Sequence, residues 1–153
     1  KNFNLLMKNI IKNIKPSILI TLTFMVFLTT SINAQSIIYF DANGKISSKE
    51  NGTSYRPNPK KTKNGYWITD YYKSGKILME GLSEVGTPLK EKYIGIRKTY
   101  FETGELKTEE FYSNGKREDV WKTFYKNGKI KTKGKYRNGE KVGVWKTFYK
   151  NVF

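Results

Sequence analysis

Lysine occupies every second position of the segment 129–136, and less polar residues occupy the positions between. A period of two residues places the lysines on one side of a β-strand and the other residues on the opposite side. The preceding segment 121–126 is rich in aromatic and β-branched residues, which favour strands. Asn127-Gly128 between the two segments signals a two-residue type I′ turn, and Asn138-Gly139 signals the next one. The pattern therefore predicts β-hairpins.

The hairpin pattern recurs every 24 residues. VWKTFYKN occurs at 120–127 and again at 144–151, and the segments 97–120 and 121–144 share nine identical residues. Self-similarity at a fixed period is the signature of a repeat architecture. A looser copy begins at Gly65 and is one residue longer before its turn.

The chain divides into three expected parts. Residues 65–153 hold the repeats, and the last repeat is incomplete, since Val152 stands where a turn glycine is expected. We expect a premature end that leaves the last strand without a partner. Residues 35–64 form an irregular segment that contains a degenerate half-repeat at 39–46. Two prolines and a lysine cluster predict a loop or irregular edge within it, at 51–63.

Residues 1–34 have the pattern of a secretory signal peptide. A basic stretch from Met7 to Lys15 is followed by an apolar run over 17–28 and by small and polar residues up to Ala34. The run is shorter than the roughly 20 residues that span a bilayer. We expect an N-terminal signal helix with its true start at Met7, cleavage after Ala34, and export to the periplasm or the extracellular space. An uncleaved anchor or a core segment is the less favoured alternative.

One motif, G-x-W-x-x-Y/F-Y-x-x-G-K, underlies the repeats. It stands as GVWKTFYKN at 143–151, DVWKTFYKNGK at 119–129, GIRKTYFETGE at 95–105 and, one residue longer, GYWITDYYKSGK at 65–76. These repeats resemble the MORN repeat variant of bacterial chains that are called YwqK-type antitoxins. The resemblance implies an all-β fold in which tandem hairpins form one elongated, twisted, single-layer antiparallel sheet. It also implies an antitoxin-like binding role, which fits poorly with an export signal.

The motif supplies the structural residues of the repeat. An open sheet has no opposing layer, so we expect each tryptophan to pack over its own hairpin or the next one. Gly81 and Gly134 would leave room for a ring, and Arg97 and Glu110, which replace Trp and Gly in one copy, would form an ion pair. A sugar- or lipid-contacting strip is the alternative for the aromatic residues. The predicted structural positions are Trp67, Trp121 and Trp145, with the turn glycines Gly75, Gly104, Gly128 and Gly139.

Composition argues against an enzyme. The chain has no His, the commonest general base and metal ligand, and no Cys. Paired carboxylates for glycoside hydrolysis need a cleft, which a hairpin sheet does not offer, and the neighbours Glu109 and Glu110 would point to opposite faces. We therefore predict no catalytic residues, no cofactor and no metal site.

Charge provides the strongest functional clue. The formal charge is +16, and loss of the four lysines in residues 1–34 leaves +12. Lysines at alternate strand positions, about 7 Å apart, would suit an extended polyanion or a membrane surface. A solvated face that keeps the protein soluble is the plainer alternative. The candidate binding residues are Lys122, Lys126, Lys129, Lys131, Lys133, Lys135, Lys146 and Lys150.

These observations favour a non-enzymatic, exported interaction scaffold at the cell envelope. The first alternative is a weak, salt-dependent binder of anionic glycan or membrane surface, and the second is the antitoxin-like partner. The expected partner is an unidentified protein or an anionic envelope component. Peripheral membrane contact stays open, and no nucleic acid is expected for an exported chain.

Overall fold

The computed structural model describes residues 36–150, and these form one antiparallel β-sheet. The described residues contain no helix, so the prediction of an all-β, single-layer open sheet of hairpin strands is confirmed for them. The predicted signal peptide at 1–34 and the substitution at Val152 lie outside the described range. The strands are β1 (Ile38–Phe40), β2 (Ile46–Ser47), β3 (Ser54–Arg56), β4 (Lys60–Thr62), β5 (Gly65–Tyr72), β6 (Ile77–Ser83), β7 (Tyr93–Tyr100), β8 (Leu106–Ser113), β9 (Lys116–Phe124), β10 (Ile130–Arg137) and β11 (Glu140–Thr147).

The topology is a meander. From β5 to β11 every strand pairs with its successor, and the full order is β11-β10-β9-β8-β7-β6-β5-β3-β1-β2, with β4 also pairing with β5. Short turns account for the sequential pairing at every connection from β5 to β11 except β6–β7, because a tight turn can join only antiparallel neighbours. The strands β6 and β7 pair across a nine-residue loop, 84–92.

Three-residue loops close the hairpins β5–β6, β7–β8 and β9–β10. In the last of these, the N–H of Tyr125 donates to the carbonyl of Lys129 and the N–H of Gly128 donates to the carbonyl of Tyr125, both at 2.9 Å. Gly128 has a φ of 79°, whereas Asn127 is not among the residues with positive φ. The predicted type I′ turn at Asn127-Gly128 is therefore wrong. The loop is a three-residue one in which the glycine alone takes the left-handed conformation.

Two-residue turns connect β8 to β9 and β10 to β11. Both central residues have positive φ, 48° and 75° at Asn114-Gly115 and 52° and 91° at Asn138-Gly139. These values are those of the type I′ turn, so the prediction at Asn138-Gly139 is confirmed. The two turn types alternate along the repeats.

The N-terminal part of the sheet is more regular than its composition predicts. Segment 51–63 was expected to be a loop or irregular edge, but it forms β3 and β4, which pair with opposite ends of β5. The prolines at 57 and 59 lie between the two strands. Proline lacks an N–H for the ladder. The hydrogen-bonded pairing along this edge of β5 is therefore interrupted between β3 and β4, but it is present on both sides of the prolines. The half-copy at 39–46 supplies β1 and its turn to β2.

The first glycine of the motif marks a β-bulge. The register shifts where β7, β9 and β11 pass Gly95, Asp119 and Gly143, which have φ values of 69°, 54° and 63°. Left-handed backbone suits glycine, and aspartate tolerates it better than most residues. Asp119 can therefore replace the glycine in one copy without loss of the bulge.

No helix among residues 36–150 has the length and apolar character that crossing a membrane requires.

Candidate functional site

The two faces of the sheet carry different residues, as the strand register shows. We call them the core face and the charged face. Residues aligned across the core face are Ile68, Gly81, Arg97, Glu110, Trp121 and Gly134, with Trp145 packed on Gly134. Residues aligned across the charged face are Glu80, Lys98, Glu109, Lys122, Lys133 and Lys146, and we call this line the charge row.

Aromatic rings cover one another on the core face of the last two repeats. The centroid of the Trp145 ring lies 5.3 Å from that of Trp121 and 5.2 Å from that of Tyr136. Lys141 places its ammonium 4.4 Å from the centroid of Trp145, and Arg117 covers Tyr136 at 5.4 Å. Such aromatic and cation–π contacts let a single sheet shield its rings without a second layer.

The tryptophan ring of a following hairpin limits the size of the residue that it covers in the preceding hairpin. A Cβ on Gly134 would lie 2.3 Å from the ring of Trp145, so only glycine leaves room for the indole. The ring therefore lies over the glycine as the repeat pattern predicts, and it belongs to the next hairpin. At the equivalent Gly81 the side chain of Arg97 takes this place, 3.3 Å from the Cβ position.

Trp67 does not occupy the position of the other two tryptophans. It is 38% exposed and aligns with Leu82 and Lys60, whereas Ile68 aligns with Gly81 and is fully buried. The copy at 65–76 is one residue longer before its turn, and a shift of one residue moves a side chain to the other face of a strand. The predicted equivalence of Trp67 with the later tryptophans is therefore wrong.

Glu110 is the polar centre of the core face. It is 5% exposed, and its Oε2 accepts hydrogen bonds from Nη1 of Arg97 at 3.0 Å and from the hydroxyl of Tyr112 at 2.7 Å. Its Oε1 accepts a hydrogen bond from Nε1 of Trp121 at 3.0 Å. The ion pair expected between Arg97 and Glu110 is thus present, and it forms part of a larger network.

Burial raises the pKa of Glu110, but its hydrogen bonds and neighbouring cations lower it by more. The donors are Tyr112 and Trp121, the cations are Arg97 and Arg117, and the net pKa lies below the ordinary value of 4.5. Glu110 is therefore a carboxylate at neutral pH. A general acid needs the opposite shift, so this buried acid is suited to structure and not to proton donation.

A second buried charge cluster lies on the core face near the N-terminal strands. Arg56 is 4% exposed, and its guanidinium binds both carboxylate oxygens of Asp70 and one oxygen of Glu91. It also lies over the ring of Phe40, 5.2 Å from the centroid. Burial lowers the pKa of Arg56, but the two carboxylates raise it by more. The cluster joins β3 and β5 to the loop that precedes β7.

Three of the eight candidate lysines meet on the charge row. Lys133 on β10 aligns with Lys122 on one side and with Lys146 on the other. Lys122 pairs with Glu109 at 2.9 Å, and Lys135, two residues along β10, lies 3.8 Å from Asp119. Among the described residues, neither Lys133 nor Lys146 has a carboxylate within ion-pair distance.

Of the remaining candidate lysines, only Lys131 lies within a strand. Lys126 and Lys129 are in the loop between β9 and β10, Lys150 follows the end of β11, and Lys131 lies at a register shift in β10. The Nζ atoms of Lys126 and Lys131 lie 5.8 Å and 5.7 Å from the ring centroids of Phe101 and Tyr125, respectively. The predicted row of four lysines along β10 is thus shorter than expected, because β10 begins at Ile130 and Lys129 precedes it.

Two features were missed by reasoning from the sequence. Arg56 lies in a segment that looked like a loop, and nothing local signals that it is buried. Tyr39, Tyr55 and Tyr71 align across β1, β3 and β5, with ring centroids 6.2 Å and 5.3 Å apart. One tyrosine per short segment was a visible signal, but it could be recognised only once the strands were known to pair.

No group of three potential metal ligands occurs within residues 36–150. The most buried carboxylates, those of Asp70 and Glu110, are bound to arginine.

The fold and the repeated core define the class of protein, which is a single-sheet protein built from tandem β-hairpins. The MORN repeat variant family then matches at residues 93–114 and 120–138, so residues 93–138 form a MORN repeat variant domain. Each matched segment contains one three-residue hairpin loop and ends at the asparagine of a two-residue turn. No curated protein gives a significant match to the chain.

Proposed function

We propose that this chain is a non-enzymatic interaction scaffold that is exported to the cell envelope. The observation that carries the proposal is the difference between the two faces of the sheet. The core face is occupied by its own aromatic rings and by the networks around Arg56 and Glu110. The charged face presents side chains across β6–β11 and leaves a wide surface for a partner.

The carboxylates support binding in preference to catalysis. Glu109 and Glu110 face opposite sides of β8, and each is paired with a cation, Lys122 and Arg97, respectively. Two carboxylates that face apart cannot act on one bond. A scaffold needs only a stable surface, and these ion pairs serve that purpose.

Export is the second part of the proposal, and it rests on the signal-like pattern of residues 7–34. A chain without cysteine needs no oxidative folding after export. An antitoxin-like role would be another form of protein binding and would require the chain to stay inside the cell.

Site-specific photocrosslinking in living cells tests the proposal. A photoreactive amino acid is placed at Val144, which is 78% exposed, and at Leu89, which is 59% exposed in the loop between β6 and β7, as the matched control. Discrete adducts from position 144 and few from position 89, in the envelope fraction, are the expected result. Equal labelling at both positions, or adducts only in the cytoplasmic fraction, would contradict the proposal.

A second candidate function is direct, weak binding of an anionic glycan or membrane surface. It is favoured by the strand pair β10–β11, where lysines lie opposite one another. Co-sedimentation with acidic polysaccharide and with anionic and neutral vesicles tests it, and binding should disappear by about 0.3 M salt because of screening. Binding that is unchanged by salt would exclude this mode.

A further inference from the structure

Positive charge is concentrated at one end of the sheet. Residues 120–150 carry ten basic side chains and a single acid, Glu140, whereas residues 65–119 carry nine basic and ten acidic side chains. Residues 36–64 add a smaller excess, with six basic and two acidic side chains, so most of the excess belongs to β10, β11, the second half of β9 and the residues that flank these strands. A surface with such a one-sided field attracts anionic partners and orients their approach.

The charge row shows how this field arises. Acid and lysine alternate across β6, β7, β8 and β9, and the pair between Glu109 and Lys122 measures 2.9 Å. The alternation then stops, because Lys133 and Lys146 follow Lys122 without an acid between them. Like charges directly opposite one another on a sheet are destabilising. The row therefore ends in two cations for which the described residues supply no carboxylate.

An apolar hollow adjoins these cations. A surface concavity of about 340 Å³ is lined by Lys133, Lys135 and Lys146 together with Val142 and Val144. It lies at the bulge of β11, where Gly143 has a φ of 63° and the register with β10 shifts. Val144 is 78% exposed. A solvent-exposed valine between lysines offers an apolar contact beside the charges.

We propose that this concavity, defined by Lys133, Lys135, Lys146, Val142 and Val144, binds an extended acidic polypeptide segment that carries an apolar side chain next to its acids. The proposal deepens the scaffold function and rests on it, because it gives the chemistry of the partner. The charged face itself supplies the precedent, since the carboxylate of Glu109 already satisfies Lys122 across neighbouring strands.

Geometry favours a polypeptide over the other anions. Alternate residues of an extended peptide project to the same side at roughly 6.6–6.8 Å, the spacing of Lys133 and Lys135 along β10. A following apolar residue on that side would reach the two valines. An acidic polysaccharide provides charge without an aliphatic side chain, and a membrane surface provides no group of that size at fixed spacing.

The test uses the purified full chain and a fluorescent peptide with the sequence ESESVSE. Binding is measured by anisotropy at about 20 mM and about 0.3 M salt. Two control peptides are compared, ESESSSE, which lacks the valine, and QSQSVSQ, which lacks the charges. Roughly tenfold weaker binding of each control at low salt is the expected result.

Matched protein variants locate the site. The double substitution Lys133→Gln with Lys146→Gln removes two charges from the concavity, and Lys60→Gln with Lys61→Gln removes two exposed charges from β4. The first pair should weaken binding roughly tenfold and the second less than about threefold, because only the first removes local contacts. Denaturant melts of both variants verify that each is folded.

Three outcomes would overturn the proposal. Equal losses in the two double variants would mean that net charge alone attracts the peptide. Equal binding of ESESVSE and ESESSSE would mean that the concavity does not bind the valine side chain. Tighter binding of an acidic polysaccharide or of anionic vesicles than of ESESVSE would assign the site to another class of partner. If the peptide does not bind but the photocrosslinks at position 144 persist, the scaffold function is retained and only the acidic polypeptide partner is rejected.

Discussion

Replacing Glu110 by alanine should test whether the buried network holds the core face together. Glu110 is 5% exposed and accepts hydrogen bonds from Arg97, Tyr112 and Trp121. Its removal leaves the partly buried guanidinium of Arg97, whose side chain is 23% exposed, and two neutral donors without their acceptor. Breaking a buried ion pair from one side costs about 3–5 kcal/mol. The individual hydrogen bonds must not be added to that figure, because they belong to the same network.

The adjacent residue provides a matched control. Glu109 lies on the other face of β8 in a 2.9 Å pair with Lys122, and both side chains are more than a quarter exposed. Such a pair contributes about 0–1 kcal/mol. Urea melts at neutral pH should therefore give a loss of about 3–5 kcal/mol for Glu110→Ala and under about 1 kcal/mol for Glu109→Ala. Similar losses would mean that the two faces have been confused.

The decline of the unfolding free energy at acid pH, which we call the acid limb, gives an independent test of the same carboxylate. The pKa of Glu110 is lower in the folded protein than its ordinary value of 4.5. Its stabilisation is therefore fully present above the unfolded pKa and is lost as pH falls through the folded pKa. Glu110→Ala should show a flatter decline of unfolding free energy below that ordinary value than the parent chain. An unchanged acid limb would refute the assignment of Glu110 as a charged structural residue.

Three further predictions concern packing and export. Gly134→Ala should destabilise the chain by about 1–3 kcal/mol in urea melts, because its Cβ would lie 2.3 Å from an indole ring, whereas Gly81→Ala meets a flexible arginine stem at 3.3 Å and should cost under about 1 kcal/mol. Trp121→Ala should cost about 3–5 kcal/mol and Lys131→Ala under about 0.5 kcal/mol by the same measurement, and equal losses would contradict the division into faces. Intact-mass measurement of exported protein should give a chain that begins at Gln35, and retention of the basic stretch before it would refute cleavage.

The sequence was sufficient to predict the hairpin strands of the repeats, but it missed β3 and β4, and it failed where a single residue changed the register. Strict alternation in 129–136 predicted the two faces of β10, and residues 130–136 alternate in the structure as expected. The motif aligns Trp67 with the later tryptophans, although the copy at 65–76 has one extra residue before its turn. A side-chain period of two makes any one-residue insertion exchange the faces. Ile68 consequently takes the buried position opposite Gly81.

The turns show a second limit of prediction from the sequence. Asn-Gly pairs at 114–115, 127–128 and 138–139 look alike in the sequence, yet the middle pair belongs to a three-residue loop. The choice between the two turn types is made by the strand register on either side, which the dipeptide does not encode. Arg56 is a comparable case, since its burial depends on Asp70 and Glu91, and Glu91 is 35 residues away in sequence. Long-range pairing of this kind leaves no local pattern.

The repeat explains why the two faces differ in what they tolerate. On the core face each residue lies beneath the side chain of the next repeat, so exchanges must be coupled: Trp over Gly in one copy, and Arg97 with Glu110 in another. On the charged face neighbouring residues need only avoid like charges, and a lysine such as Lys133 can be placed without a partner at modest cost. Function that depends on surface charge can therefore change from copy to copy while the fold persists. This variation in surface charge is greatest at the lysine-rich end formed by β10 and β11.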